Sequence, residues 1–172
     1  EKDIVLIHVG YFNEQKNQQF LIELMKRNKE KRLKLLFIGD GRTRKNIENL
    51  TEDRRIYFLG ATDRVRDYLQ AADCFMFPSK WEGLGIAALE AQASGLPCIV
   101  STYVPKSVDM SGKVQFYDLD DILSWDTAVK KMLPISDTKR AIYSAENIKK
   151  MTLRGYNIKK EGARLVEIYK NA

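Results

Sequence analysis

The chain has 172 residues, 44% of them hydrophobic and 30% charged, with 10 glycines and 4 prolines. That is globular usage, and a chain this long buries roughly 70% of its unfolded surface, so disordered, collagen-like and disulfide-scaffold classes are excluded. Lys plus Arg outnumber Asp plus Glu by 29 to 23, a net +6, a modest excess that fits an anionic ligand, an acidic membrane surface or nothing in particular. No aromatic platform or recognised motif accompanies the excess, so it offers no case for a nucleic-acid partner. No apolar run approaches the ~20 residues of a membrane helix. The first residue is Glu1 rather than Met, and the first strand-like run begins only at Ile4; we expect a piece of a longer protein.

The elements alternate. Ile4–Val9 is continuous, β-branched and closed by Gly10, a buried strand; residues 16 to 28 then put Phe20, Leu21, Leu24 and Met25 on one helical face. The basic stretch Lys26–Lys34 follows, where a helix hands over to a strand; a solvated helix C-terminus explains it, and a phosphate or lipid-headgroup patch is the alternative. Leu33–Ile38 is a second strand ended by Gly39-Asp40-Gly41, residues 43 to 51 are a helix, and Arg55–Leu59 is a third strand closed by Gly60. Thr62 is placed to cap a helix carrying Val65, Tyr68, Leu69 and Ala72. Cys74–Phe77 is strand four, stopped by Pro78; residues 85 to 94 are an Ala-rich helix ended by Gly95; Cys98–Ser101 is strand five and Val114–Tyr117 a short sixth. Ile122, Trp125, Val129, Met132 and Leu133 form a helical stripe before Pro134, and residues 137–150 and 157–171 give two more helices.

Continuous apolar strands alternating with helices predict an α/β fold, a Rossmann-like doubly wound parallel sheet with helices on both faces. Ligands of such sheets bind outside the carboxyl ends of the strands, so the loops after residues 9, 38, 59, 77 and 101 carry the candidate chemistry. Cys74 and Cys98 lie in apolar runs without metal or secretory spacing and are expected as structural thiols. His8, the one histidine, has no acidic neighbour in sequence and is expected to be structural.

Gly10-Tyr11-Phe12-Asn13-Glu14-Gln15-Lys16-Asn17 joins strand one to its helix. A lysine in a helix's first turn opposes the dipole, a mismatch that an anionic ligand relieves; an exposed lysine of no consequence is the alternative. Gly39-Asp40-Gly41 begins like a dinucleotide fingerprint, but Arg44 stands where the third glycine belongs, so it is a tight turn rather than that motif. In Glu82-Gly83-Leu84-Gly85-Ile86, two glycines precede a helix and open its N–H groups to an anion. Glu82 suits a helix N-terminus. Glu90, two turns in among alanines, either faces solvent or is met by polar partners such as sugar hydroxyls.

Glu82 through Glu90 resembles the E-x7-E signature of retaining glycosyltransferases of the GT-B architecture, family 4, also called group 1. Gly10 with Lys16, Phe37–Gly41, Ile56–Gly60 and the run from Ala71 to Ser79 are similar to the family's successive strand ends, and bacterial exopolysaccharide and capsule enzymes are the nearest in feel. The resemblance implies the C-terminal, donor-binding half of such an enzyme, a single domain over 1–172, with an acceptor-binding N-terminal GT-B domain as partner. It implies a nucleoside-diphosphate sugar, by family frequency UDP-linked, as substrate. No cofactor and no metal site are expected, and no Asp-x-Asp motif occurs. Lys16 and Glu82 are the implied catalytic pair. Gly10, Tyr11, Lys16 and the segment Glu82, Gly83, Leu84, Gly85 and Ile86 would line the diphosphate and sugar, Glu90 would hold the ribose, and the base would lie near Gly60 and Val65. The implied setting is bacterial and cytoplasmic, peripheral to the inner membrane face through basic residues. Tyr11 departs from the pattern: the family usually has Arg there. Losing a charge-assisted bond to phosphate removes about 1.5–3 kcal/mol, which puts catalytic strength in question and leaves a nucleotide-binding module without transferase activity as the alternative.

Overall fold

The computed structural model describes residues 2–132 and 134–170. Six parallel strands, β1 (Ile4–Val9), β2 (Leu33–Ile38), β3 (Ile56–Gly60), β4 (Cys74–Phe77), β5 (Cys98–Ser101) and β6 (Val114–Tyr117), form one sheet in the order β3-β2-β1-β4-β5-β6. The helices are α1 (Gln18–Arg27), α2 (Arg44–Glu48), α3 (Val65–Ala71), α4 (Ile86–Ala93), α5 (Ile122–Lys130), α6 (Asp137–Leu153) and α7 (Ile158–Lys170). The chain winds outward from β1 to β3, then crosses back to β4 on the other side of β1. The loops after β1 and β4 therefore diverge, and a crevice opens between them at the carboxyl edge.

Each face of the sheet has its own core. On one, Leu6, Leu35, Phe37 and Met76 pack under α1 and α5 with Phe12, Phe20, Leu21, Leu24 and Trp125. Phe20 meets Trp125 edge-on at 4.9 Å between centroids, and the indole N–H donates to the Asp118 carbonyl at 2.9 Å. On the other, Ile7, Phe75, Phe77, Cys98 and Val100 pack under α3, α4 and the 104–110 segment with Leu69, Ala88 and Leu89. Burying aromatic and branched side chains on both faces contributes about 1.5–3 kcal/mol for each, which explains why the strands are apolar on both sides. Both cysteines are free and buried, and burial pushes both thiols well above their ordinary range. They are structural, as expected.

Several local expectations shift. The first helix begins at Gln18, not 16. Asn17 precedes it in the left-handed region at φ 52°, so Lys16 lies in a turn before the helix, its N–H bound by Asn13 Oδ1 at 2.9 Å. Thr62 does not cap α3; its hydroxyl accepts from Arg64 N–H at 3.1 Å in the turn just before. The 43–51 helix shortens to α2, and α6 runs on to Leu153, where Gly155 at φ 86° turns the chain. α5 ends at Lys130, before Pro134; Leu133 of the stripe lies outside the described residues, as does position 171 of the last helix.

The basic stretch closes α1. Lys29 Nζ donates to the Lys26 carbonyl at 2.7 Å and Lys34 Nζ to that of Lys31 at 3.2 Å. The Arg55 guanidinium donates to the carbonyls of Met25, Asn28 and Glu30 while pairing with Asp53 at 2.6 Å. Those of Met25, Lys26 and Asn28 belong to the last turn and cap of α1, where carbonyls lack a helical partner. The stretch sits at the amino edge of the sheet, away from the crevice.

Candidate functional site

The two loops that bound the crevice are tied to each other. Lys80 N–H donates to the Gln15 carbonyl at 2.8 Å, Gln15 Nε2 to the Trp81 carbonyl at 2.9 Å and Asn17 Nδ2 to the Pro78 carbonyl at 3.2 Å. Across this seam Lys16 Nζ reaches Glu82 Oε1 at 2.5 Å, with the ammonium 4.7 Å above the Phe77 ring centroid. Both side chains are mostly covered, 17% and 8% exposed, so the pair is less screened than a surface ion pair. Gly10 makes room for it: a Cβ there would lie 3.3 Å from His8 Nε2 and 3.4 Å from the Lys16 stem.

His8 supports the loop from below. It is fully buried; its Nδ1 lies 2.9 Å from the Met76 carbonyl and its Nε2 3.3 Å from Gln18 Nε2. The same Gln18 amide donates to the Tyr11 carbonyl at 3.1 Å. A neutral imidazole with its proton on Nδ1 satisfies both contacts. Burial, aided by the nearby Lys16 charge and opposed by the Met76 bond, lowers its pKa to about 4. His8 is structural, as its lack of an acidic partner suggests.

Beyond Glu82 the chain enters α4 through Gly85, left-handed at φ 74°, and no side chain caps the helix. The N–H groups of Gly83, Leu84, Gly85 and Ile86 have no hydrogen-bond partner among the described residues. Such a row of free donors at a helix start is an anion site, with Lys16 adjacent through its bond to Glu82. Leu84 and Ile86 are exposed beside it.

Glu90 is exposed, and its carboxylate makes no hydrogen bond or ion pair among the described residues. It lines a groove of about 600 Å³ between α3, α4 and α6, shared with Asp63, Val65, Arg66, Leu69 and Ser144. Val65 is thus brought to Glu90. Gly60, left-handed at φ 77°, lies near Arg44, whose Nη1 would stand 3.2 Å from an added Cβ. Tyr11 is 52% exposed, and its hydroxyl makes no hydrogen bond among the described residues. The Gly39-Asp40-Gly41 turn serves backbone packing rather than a ligand: Cβ atoms would fall 2.1 Å from the Gly10 carbonyl oxygen and 2.4 Å from that of Phe12. Sequence reasoning missed Gln15, Asn17 and Gln18, whose side-chain amides tie the loops. Only their clustering beside Lys16 could have signalled it.

A doubly wound parallel sheet, with a lysine–glutamate pair and free helix-start donors at its switch point, defines an α/β domain of Rossmann-like topology. Residues 1–112 match the family of glycosyl transferases group 1, and the chain belongs to that family. It is 28% identical to the UDP-Gal:alpha-D-GlcNAc-diphosphoundecaprenol alpha-1,3-galactosyltransferase of Escherichia coli, over 96% of this chain and 45% of that protein. It is 30% identical to the capsular polysaccharide biosynthesis glycosyltransferase CapH of Staphylococcus aureus, over 83% of this chain and 42% of that one. The chain thus spans less than half the length of these relatives. Its fold is that of Anabaena Alr3699/HepE, whose crystal structure holds UDP and glucose: TM-score 0.75 at 14% identity, over 99% of this chain and 49% of that one.

Proposed function

We propose that the chain is the donor-binding half of a retaining glycosyltransferase that moves a sugar from a UDP-linked donor to a saccharide or lipid-linked acceptor in polysaccharide biosynthesis. The observation that carries this is the Lys16–Glu82 pair at 2.5 Å beside the free N–H groups that open α4. Charge develops on the diphosphate as the sugar leaves, and preoriented donors in a partly covered crevice stabilise it without reorganising. Lys16 and the N–H groups of Gly83 to Ile86 take that role. Glu82 faces the transferred sugar, Glu90 holds the ribose hydroxyls, and the base lies toward Val65 and Gly60. The nucleoside-diphosphate sugar is substrate rather than cofactor, and the step calls on no metal.

The relatives support the substrate class: one is named for a UDP-sugar donor and a lipid-diphosphate acceptor, another for capsule synthesis. An N-terminal domain, matching the half of the relatives that this chain does not span, supplies the acceptor site. Among the described residues no helix is long and apolar enough to cross a membrane; contact with the inner membrane face, in the cytoplasm, runs through the exposed lysines of 26–34. The test is sugar transfer by the whole protein. Glu82→Gln and Lys16→Ala each abolish it while the fold persists, and undiminished transfer in both variants contradicts the assignment. A second reading, nucleotide binding without transfer, rests on Tyr11 in place of a phosphate-binding arginine. A gain of transfer in Tyr11→Arg from an inactive parent supports that reading.

A further inference from the structure

The carboxyl edge of the sheet carries a second cleft, of about 430 Å³, lined by Asn13, Glu14, Gln15, Arg42, Thr43 and Trp81. The donor assignment uses none of these side chains. Trp81 is 55% exposed, and its backbone is held by Gln15, which accepts from Lys80 N–H and donates to the Trp81 carbonyl. The indole is thus an aromatic face on a tied loop. Arg42 has no hydrogen bond or ion pair among the described residues, whereas its neighbour Arg44 is engaged by Glu48 at 2.7 Å. Thr43 Oγ1 is buried without a partner. Asn13 spends its Oδ1 on Lys16 N–H, which leaves its amide nitrogen to donate.

We propose that this cleft is a subsite for a glycosyl phosphate, distinct from the donor groove. The C–H face of a pyranose packs on the Trp81 indole, the Asn13 amide and Glu14 carboxylate meet its hydroxyls, and the free Arg42 guanidinium takes the phosphate in its planar fork. The volume suits a small ligand of this kind. The proposal rests on the glycosyltransferase reading, since it puts a second phosphorylated sugar beside the Lys16–Glu82 pair.

The two tryptophans make the test direct. Trp125 is fully buried, so quenching by acrylamide reports Trp81. The chain is titrated with N-acetylglucosamine 1-phosphate, with N-acetylglucosamine and with inorganic phosphate, and UDP affinity is measured separately by calorimetry. The sugar phosphate protects Trp81 and binds more tightly than sugar or phosphate alone. Arg42→Gln weakens it about tenfold, the loss of one charge-assisted bond, and leaves UDP affinity within about twofold. A decyl ester of the same sugar phosphate that binds as well points to a lipid-linked source; its exclusion points to a free sugar phosphate. Absence of protection, or equal affinity in Arg42→Gln, overturns the subsite. Protection by the sugar phosphate without any UDP binding sinks the donor assignment instead.

Discussion

Lys16 Nζ and Glu82 Oε1, 66 positions apart in the chain, meet at 2.5 Å across the seam between the loops that follow β1 and β4. Each is held from its own side, Lys16 by the Asn13 cap and Glu82 by the tied 78–81 segment. The pair therefore presents a cation and a carboxylate together; in the proposed transfer one serves the leaving diphosphate and the other the sugar.

Because Glu82 engages the ammonium in the unliganded chain, it competes with phosphate for it. Glu82→Gln should raise UDP affinity by several-fold, and Lys16→Ala should lower it about tenfold or more, the scale of one charge-assisted bond. Calorimetric titration of both variants checks this; a drop in both, equal in size, would contradict the competition.

The glycines divide by what surrounds them. At Gly39 and Gly41 a methyl group would collide with the backbone of Gly10 and Phe12, and φ is +133° and +154°. Alanine at either position should destabilise the chain by at least about 2 kcal/mol. At Gly83 nothing lies within 4 Å of an added Cβ, so Gly83→Ala should change stability by less than about 0.5 kcal/mol. Urea unfolding midpoints of the three variants decide it.

His8 sets an acid limit. Its pKa is near 4 when folded against 6.5 unfolded, chiefly through burial. Between those values the unfolded chain binds the extra proton, so stability is complete above about pH 6.5 and falls as pH drops toward 4, by about 3 kcal/mol in all. Urea unfolding at pH 7, 5.5 and 4 should show this slope, and His8→Asn should flatten it. An unchanged slope in the variant would assign the acid loss to carboxylates.

The parallel sheet was legible because its central strands are apolar on both faces and several end at a glycine or proline: Val9 at Gly10, Ile38 at Gly39, Phe77 at Pro78. The order of the strands was not legible, because it rests on pairings between segments far apart in sequence, such as Leu6 with Cys74. The open N–H row at the start of α4 was legible because two glycines before a helix leave its donors uncovered. Lys16 is expected in a helix's first turn, yet Asn17 in the left-handed region delays α1 to Gln18, and what holds the Lys16 ammonium is a carboxylate 66 positions away. Contacts of that range leave no periodic trace. The same holds for Arg55, which gathers three carbonyls from the end of α1 and the loop after it, and for the glycines of the 39–41 turn, whose constraint is a neighbouring loop.

Glu90 offers the most direct test of the proposed donor site, because its carboxylate is exposed and without a partner among the described residues, and its loss should not disturb the fold. We would titrate the chain with UDP, GDP and ADP by calorimetry and thermal shift, and repeat the series on Glu90→Ala. At ten times Kd, linkage adds about 1.4 kcal/mol, or about 3–6 °C for a chain of this size. UDP should stabilise the chain more than the other two, with affinity reduced tenfold or more in Glu90→Ala and the unliganded Tm unchanged. UDP binding that is identical in Glu90→Ala, or no stabilisation by any of the three at millimolar concentration, would contradict it.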